Sequence, residues 1–261
     1  MNDTLILIPA HNEEATIGTL LHGLHDAGVD KIADILVVDD CSDDRTGVIV
    51  RASGVQVVRN VFNLGYGSAL QLGYKYAVRR NYDYVIQMDA DGQHDICNVF
   101  TIYDCLRQPN AECDGHMPDI VIGSRFCSGS ITFPISSIKR LAMRIFSSMI
   151  RLLTGKHLRD TTSGLQGLNR GAFLFYSRFN NFNARYPDAN MIVQMLMLGF
   201  HVIEIPSVMH ERIAGESMHH GIFKPIFYMM VMFVSIATVA WREKKHPDKV
   251  PVIDPNRSSA C

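Results

Sequence analysis

Short apolar runs alternate with amphipathic stretches along the first half of the chain. Such runs occupy 4–10 (TLILIPA), 34–40 (DILVVDD), 55–59 (VQVVR), 83–89 (DYVIQMD) and 119–124 (DIVIGS), and a more polar stretch with helical spacing follows most of them. Runs of this length that are rich in Val and Ile are typical of buried strands, and their alternation with helices indicates repeated βα units. The pattern therefore predicts an α/β fold, with a mostly parallel, Rossmann-like sheet flanked by helices.

The pattern changes after residue 132. Segment 133–155 places apolar residues at helical spacing with Lys and Arg between them, which predicts a basic amphipathic helix at a bilayer interface; an ordinary packed helix is the alternative. Segment 221–245 contains 16 residues without a formal charge, at 226–241, and is predicted to be a membrane-associated or transmembrane helix, or a buried soluble one. A full span usually needs about 20 apolar residues. The polar tail 246–261 is predicted to be disordered.

Charge is unevenly distributed, although the formal net charge is only -1. Residues 1–120 carry 18 Asp and Glu against 8 Lys and Arg, whereas residues 121–261 carry 8 against 17. The asymmetry favours a metal-binding first half and a second half that meets phosphate or a membrane surface; uneven solvated faces are the alternative. The net charge gives no reason to expect a nucleic-acid binder. Six cysteines without a CxxC pair, and no secretory leader before the first strand, predict a reduced, cytosolic setting.

Acidic residues follow the predicted strands at their carboxyl ends. Asp39 and Asp40 end the second run, and Asp89 and Asp91 follow the fourth. Side chains two residues apart at a strand end point the same way, and ligands of open parallel sheets bind at this edge. Carboxylates together with substrate phosphates are the oxygen ligands that Mg²⁺ and Mn²⁺ take. The sequence therefore predicts a divalent cation site that receives a diphosphate-containing donor.

Seven motifs occur in a fixed order along residues 4–220: PAHNEE (9–14), VVDDCSDDRT (37–46), NLGYGSAL (63–70), DADGQH (89–94), GSRF (123–126), TTSGLQ (161–166) and HERIAGES (210–217). Together they resemble glycosyltransferase family 2, in particular its branch of polyprenyl-phosphate sugar synthases, typified by dolichyl-phosphate mannose synthase. The resemblance implies a GT-A-type catalytic domain over residues 1–220. Two departures stand out, because the branch often has Tyr at the position of His11 and commonly has Lys at the position of Met218.

The resemblance also implies a role for individual residues. The donor nucleotide is expected to contact Pro9, His11, Glu13, Val38, Asp40, Gly65 and Asp89. The expected ligands of Mg²⁺ or Mn²⁺ are Asp89, Asp91 and Gln93. The acceptor phosphate is expected at Arg125, Lys139, Arg140 and Ser163, and the late loop is expected to close over the donor diphosphate with Arg212 and Ser217. The expected catalytic residues are Asp89, Asp91, Arg125 and Arg212.

These expectations describe an inverting, metal-dependent glycosyltransferase at the cytoplasmic face of the membrane. It would move a sugar from a nucleotide diphosphate sugar, with UDP favoured over GDP, to a polyprenyl phosphate used in cell-surface glycan assembly. A phosphate monoester has a second pKa of about 6, so it is already a nucleophile at neutral pH and needs no general base. Two alternatives stay open: a family 2 transferase that acts on a sugar hydroxyl with Asp188 as base, and a non-catalytic nucleotide-sugar-binding subunit of a membrane complex. The short apolar segment also suggests self-association or a small membrane-protein partner.

Overall fold

A computed structural model describes residues 2–133, 137–212 and 223–245, without the side chains of residues 137–139 and 223–226. The strands are β1 (Thr4–Ala10), β2 (Asp34–Asp39), β3 (Gln56–Arg59), β4 (Tyr84–Gln87), β5 (Ile120–Ser124), β6 (Gln166–Asn169) and β7 (Val202–Pro206). The α-helices are α1 (Ile17–Asp26), α2 (Thr46–Ala52), α3 (Tyr66–Arg79), α4 (Cys97–Cys105), α5 (Ser137–Thr154), α6 (Arg170–Ser177), α7 (Ala189–Met197) and α8 (Phe223–Lys245).

The strands form one seven-stranded sheet in the order β3-β2-β1-β4-β6-β5-β7. All pairings are parallel except those of β6, which runs antiparallel between β4 and β5. The predicted α/β fold with a mostly parallel sheet is therefore confirmed. The sequence patterns did not predict β6 or β7, and β6 begins within the TTSGLQ motif, at Gln166.

Helices cover both faces of the sheet because alternate side chains of the buried strands point to opposite sides. Leu5 and Leu7 of β1 join the hydrophobic core that includes residues of α3, α5, α6, α7 and α8. Ile6 and Ile8 join the core on the other face, with residues of α1 and α4. A Cβ added at Gly73 of α3 would lie 2.2 Å from Leu7, so this glycine allows α3 to pack directly on the central strand.

The helix α5 covers most of segment 133–155, and its location at a bilayer interface stays a prediction. Its buried face carries Ala142, Phe146 and Ile150, which belong to the core beside α3 and α7. Its opposite face is exposed and carries both apolar and basic side chains: Leu141, Ile145, Leu152, Arg140, Arg144 and Arg151. The helix is therefore packed on one side only.

The last described helix, α8, packs along α7 and also touches α5. Met232, Ile236 and Ala240 are buried. The outer face of α8 exposes five large apolar side chains: Phe227, Met230, Phe233, Val234 and Trp241. Within the ranges described, no helix combines the length and the apolar character that crossing a membrane requires.

The described part of segment 221–245 thus gives no support to the transmembrane alternative. The physical reason is that α8 ends in a charged cluster and has too short an apolar run, so it cannot supply about 20 apolar residues. The predicted division of the chain at residue 220 stays a prediction. The tail 246–261 lies outside the described residues.

Candidate active site

A cavity of about 570 Å³ opens at the carboxyl ends of β1, β2 and β4, where the sequence predicts a ligand site. The predicted site residues on its wall are Pro9, His11, Glu13, Asp40, Gly65, Asp89, Asp91, Gln93, Arg125, Ser163 and Arg212. They come from all seven motifs and from both halves of the chain. The sheet edge thus gathers residues that are far apart in sequence.

Asp89 is held by neighbours on several sides. The Tyr66 hydroxyl donates a hydrogen bond of 2.9 Å to its Oδ1, and His94 Nε2 lies 3.7 Å from its Oδ2. A Cβ added at Gly164 would lie only 2.1 Å from Oδ2, so the backbone of the TTSGLQ motif presses against the carboxylate. Burial alone would raise the pKa of Asp89, but the interactions with His94 and Tyr66 outweigh it and lower the pKa.

Asp91 is the second carboxylate of the pair, and its partner is an arginine. Arg212 donates to Asp91 Oδ2 at 2.6 Å, and the backbone amide of Gln93 donates to Oδ1 at 3.0 Å. Burial raises the pKa of Asp91, and the charge of Asp89 raises it further. Burial also raises the pKa of the nearby Glu13. The carboxyl groups at this end of the cavity therefore carry more negative charge than Arg212 compensates.

The acidic end suits a divalent cation. Two carboxylates that face one cavity are a donor set that a hard cation accepts when substrate oxygens complete its coordination. Among the described residues, no group of three or more His, Cys, Asp or Glu is placed to hold a metal ion. Substrate oxygens would therefore have to supply the remaining ligands beside Asp89, Asp91 and Gln93.

Asp40 organises the loop at the end of the cavity where the sequence predicts the nucleotide. Its carboxylate accepts hydrogen bonds from Asn60 Nδ2 at 2.7 Å, from the Leu64 amide at 2.9 Å and from the Gly65 amide at 2.7 Å. Gly65 adopts φ 91°, a left-handed conformation that favours glycine. Both oxygens of Asp40 are thus engaged by the loop that leads into α3, so Asp40 shapes the cavity through this loop.

His11 and Val38 are two further residues predicted to contact the nucleotide. His11 lies on the wall, with Nδ1 3.0 Å from the Asp40 carbonyl oxygen and Nε2 3.1 Å from Asn63 Nδ2. The side chain of Val38 is not on the wall, because it points into the hydrophobic core and is fully buried. The structure therefore does not bring the Val38 side chain to the cavity, and the predicted nucleotide contact of this residue stays a prediction.

Arg125 lines the cavity, but a buried carboxylate already engages it. Its Nε donates to Asp160 Oδ2 at 2.7 Å, and its Nη2 donates to Asp160 Oδ1 at 2.6 Å and to Thr162 Oγ1 at 2.9 Å. Asp160 is fully buried and also accepts the backbone amide of Arg125. Sequence reasoning missed Asp160, although it directly precedes the TTSGLQ motif.

The predicted acceptor residues fall into three groups. Ser163 is buried on the cavity wall and donates to the Gly123 carbonyl oxygen at 2.6 Å, so it ties the TTSGLQ motif to β5. Arg140 lies on the exposed face of α5 and not on the cavity wall, because residues two apart on a helix point in nearly opposite directions and Ala142 faces inward. The side chain of Lys139 lies outside the described residues, and so does Ser217, which is predicted for the loop over the donor diphosphate.

One part of the wall was not predicted and is largely apolar. It combines Ala142, Met143 and Phe146 of α5, Tyr186 and Pro187 of the loop before α7, and Tyr228 and Met229 of α8. Asp188 also lies there, and the Tyr228 hydroxyl donates to its Oδ2 at 2.7 Å. Burial raises the pKa of Asp188 to about 6. The sequence named Asp188 only as the base of an alternative, and no local signal pointed to Tyr228.

Curated relatives share sequence with most of this chain. A protein of Methanocaldococcus jannaschii described as uncharacterized is 32% identical over 168 residues, covering 64% of this chain and 65% of its own length. A dolichyl-phosphate hexose transferase of Haloferax volcanii is 27% identical over 219 residues, with coverages of 83% and 86%. An undecaprenyl-phosphate mannosyltransferase of Micrococcus luteus is 29% identical over 225 residues, with coverages of 83% and 87%.

A solved structure shares the fold. Glucosyl-3-phosphoglycerate synthase from Mycobacterium tuberculosis, crystallised with Mn²⁺, UDP and glucosyl-3-phosphoglycerate, superposes with a TM-score of 0.65 at 18% identity and covers 91% of this chain and 80% of its own. The family model for glycosyl transferase family 2 matches residues 5–175, which is more than half of the chain and carries most of the cavity residues. The chain therefore belongs to glycosyl transferase family 2.

Proposed function

We propose that the protein is an inverting, metal-dependent glycosyltransferase that moves a sugar from a nucleotide diphosphate sugar to a polyprenyl phosphate. The observation that carries the proposal is one cavity with two unlike ends, an acidic end at Asp89 and Asp91 and a largely apolar end between α5 and α8. The acidic end suits a cation-bound diphosphate, and the apolar end suits a lipid. The two relatives that are named for a dolichyl and an undecaprenyl phosphate support the same acceptor class.

The donor is placed at the acidic end. Pro9, His11 and Gly65 line the nucleotide side, and the cation held by Asp89, Asp91 and Gln93 would withdraw charge from the diphosphate leaving group. Arg212, which reaches Asp91 in this structure, supplies a positive charge beside the position where leaving-group charge develops. UDP is the favoured nucleotide and GDP the alternative.

The acceptor enters from the apolar end. Its phosphate is anionic at neutral pH and attacks without a general base, because its second pKa is about 6. Arg125 orients this phosphate: its Nε and Nη2 are fixed on Asp160, which holds the guanidinium plane in one direction at the wall. Met143, Phe146 and Met229 offer apolar contacts to the first isoprene units.

A screen of nucleotide sugars tests this proposal. The purified full chain is incubated with Mn²⁺ or Mg²⁺, one of UDP-glucose, UDP-N-acetylglucosamine or GDP-mannose, and undecaprenyl or dolichyl phosphate. A radiolabelled polyprenyl-phosphate sugar is the expected product, with inverted anomeric configuration. Transfer to a sugar hydroxyl but to no polyprenyl phosphate would establish the hydroxyl-acceptor alternative instead.

The exposed faces of α5 and α8 support a location at a membrane surface. On α5, Leu141, Ile145 and Leu152 form an apolar stripe, with Arg140, Arg144 and Arg151 along one side. Apolar side chains that enter the headgroup region beside arginines that meet lipid phosphates are the pattern of an interfacial helix. We therefore propose peripheral association with the cytoplasmic face. Self-association or a small membrane-protein partner would use the same exposed face of α8.

A charge introduced on this face is expected to weaken membrane binding. Leu152, whose side chain is 86% exposed, is replaced by Glu, with Val48→Glu on the exposed side of α2 as the matched control. Leu152→Glu should reduce co-sedimentation with anionic vesicles about 10-fold, since it removes an inserted side chain and adds repulsion, and Val48→Glu should not. Trp241, the only tryptophan of the chain, gives a second signal through a blue shift of its emission on binding. Equal sedimentation of both variants would rule out this surface.

Asp188 distinguishes the two acceptor classes. Its position on the wall and its pKa of about 6 would suit a general base for a sugar hydroxyl, which is the specific observation in favour of that alternative. With a phosphate acceptor, Asp188→Asn should retain transfer to within a few-fold of the wild type. A loss of about 10²-fold or more would instead identify Asp188 as the base.

The same variant has an expected effect on stability. Folding raises the pKa of Asp188 from 3.8 to about 6, so the folded protein retains a proton that the unfolded chain has lost between these values. The contribution of this carboxyl to stability is therefore present below about pH 4 and lost as the pH rises through 6. Asp188→Asn should raise the melting temperature more at pH 7.5 than at pH 4.5, as differential scanning fluorimetry would show. A smaller gain in melting temperature at pH 7.5 than at pH 4.5 would show that folding does not raise the pKa of Asp188.

A further inference from the structure

The hydroxyl of Tyr66 contacts the acidic end of the cavity, and the functional roles above do not use it. It donates to Asp89 Oδ1 at 2.9 Å. The phenol is the donor of this pair, because an ionised carboxylate offers only acceptor oxygens. Tyr66 lines the same cavity as Asp89 and Asp91.

The backbone of Tyr66 is fixed by the start of α3. Tyr66 is the first residue of this helix, and the preceding amide, that of Gly65, is bound by the Asp40 carboxylate. A Cβ added at Gly67 would lie 2.2 Å from the Asn183 carbonyl oxygen, so the first turn of α3 packs directly on the 183–184 backbone. The phenol of Tyr66 therefore extends from a backbone that is fixed on two sides.

A second tyrosine of α3 binds the same strand. The Tyr74 hydroxyl donates to Gln87 Oε1, and Gln87 is the last residue of β4, two positions before Asp89. Two phenols of one helix thus contact residues 87 and 89. The Tyr74 contact ties α3 to the end of β4, and the Tyr66 contact restricts the Asp89 carboxylate itself.

The opposite side of Asp89 is closed as well. The Gly164 backbone stands against Oδ2, with no room for a Cβ, and His94 lies beyond it. Asp91 differs, because its contact at Oδ2 is the side chain of Arg212, which is about one third exposed. Asp89 is therefore held between the Tyr66 hydroxyl and the Gly164 backbone, whereas Oδ2 of Asp91 contacts a partly exposed side chain.

We propose that Tyr66 is a positioning residue that fixes the Asp89 carboxylate for the divalent cation and the donor diphosphate. The inference rests on the proposed function, since it assumes a cation at this end of the cavity. A carboxylate that is already oriented loses little freedom when it binds a cation, and outer partners that orient metal ligands typically contribute 10–100-fold to affinity.

Tyr66→Phe removes the hydroxyl and keeps the ring, and Tyr76→Phe is the matched control. Tyr76 lies on the same helix, and its hydroxyl binds Gln56 away from the cavity. Free Mn²⁺ is measured by electron paramagnetic resonance during titration of the full chain, with and without UDP. Tyr66→Phe should weaken Mn²⁺ binding about 10-fold, and Tyr76→Phe should stay within two-fold of the wild type.

A kinetic measurement separates positioning from a general loss of structure. Tyr66→Phe should raise the Mn²⁺ concentration needed for half-maximal transfer, while saturating Mn²⁺ restores most of kcat. Gly164→Ala approaches the same carboxylate from the other side and should weaken Mn²⁺ binding as well, because its Cβ would displace Asp89 Oδ2.

Two results would overturn the inference, and they have different consequences for the proposed function. If the wild type binds Mn²⁺ and Tyr66→Phe binds it equally well, the role of Tyr66 is wrong and the proposed function is untouched. If the wild type transfers sugar with no Mn²⁺ bound at all, the cation site itself is wrong and the role of Tyr66 fails with it.

Discussion

Asp91→Asn is expected to lower kcat for sugar transfer by about 10²–10³-fold, with the fold retained. The substitution removes one of the two carboxylates that face the donor diphosphate, and losing one preorganised electrostatic element typically costs this much. The structure also indicates that the fold tolerates the change. Burial and the charge of Asp89 raise the pKa of Asp91, so its ionised form opposes folding at neutral pH and its removal relieves that cost.

The measurement is transfer kinetics at saturating donor, with thermal unfolding of the same samples. Asp104→Asn, an exposed carboxylate on α4 that does not line the cavity, serves as the matched control and should leave both quantities unchanged. Wild-type kcat in Asp91→Asn would show that the acidic pair has no part in the reaction.

Asp160→Ala is expected to lower the free energy of unfolding by about 3–5 kcal/mol. Asp160 is fully buried and accepts hydrogen bonds from the Arg125 amide, Nε and Nη2, and removing one partner of such a buried pair leaves an uncompensated charge. Arg125→Met should be similarly costly, because it leaves the Asp160 carboxylate unpaired. Urea unfolding measures both.

The double variant Arg125→Met with Asp160→Leu separates stability from function. An apolar pair of similar size should recover most of the lost stability, since replacing both partners of a buried ion pair is often neutral. It should nonetheless fail to transfer sugar to the acceptor phosphate and should still bind UDP. Asp83→Asn, which neutralises an exposed carboxylate 3.9 Å from Arg170, should cost at most about 1 kcal/mol. If Asp160→Ala unfolds at the same urea midpoint as the wild type, the stabilising role of the pair is wrong. If the double variant transfers sugar at the wild-type rate, the role of Arg125 at the acceptor phosphate is wrong.

Sequence patterns predicted the part of the fold that depends on the local order of apolar and polar residues. The apolar runs that became β1, β2, β4 and β5 are continuous and rich in Val and Ile, and each is buried on both faces. Because parallel strands present their carboxyl ends at one edge, the motifs after them were expected at one site, and the cavity brings most of them together.

The patterns missed what depends on distant contacts. β6 has the sequence QGLN, with a glycine and no β-branched residue, and it is a strand because β4 and β5 pair with it from both sides. Val38 was assigned to the nucleotide by its place in a motif, but the alternation of β2 turns its side chain into the core. The pairing of Arg125 with Asp160 and that of Tyr228 with Asp188 join residues 35 and 40 positions apart.

The last described helix, α8, belongs to the active site as well as to the surface. Tyr228 and Met229, near its amino end, form part of the cavity wall, while Phe233 and Trp241 face outward. A shortened protein that stops before Phe223, made to ease purification, would keep every described strand and lose one side of the cavity wall. In a protein that retains α8, detergent tails would compete for the apolar end of this cavity, so the choice of detergent becomes a variable of the enzyme assay.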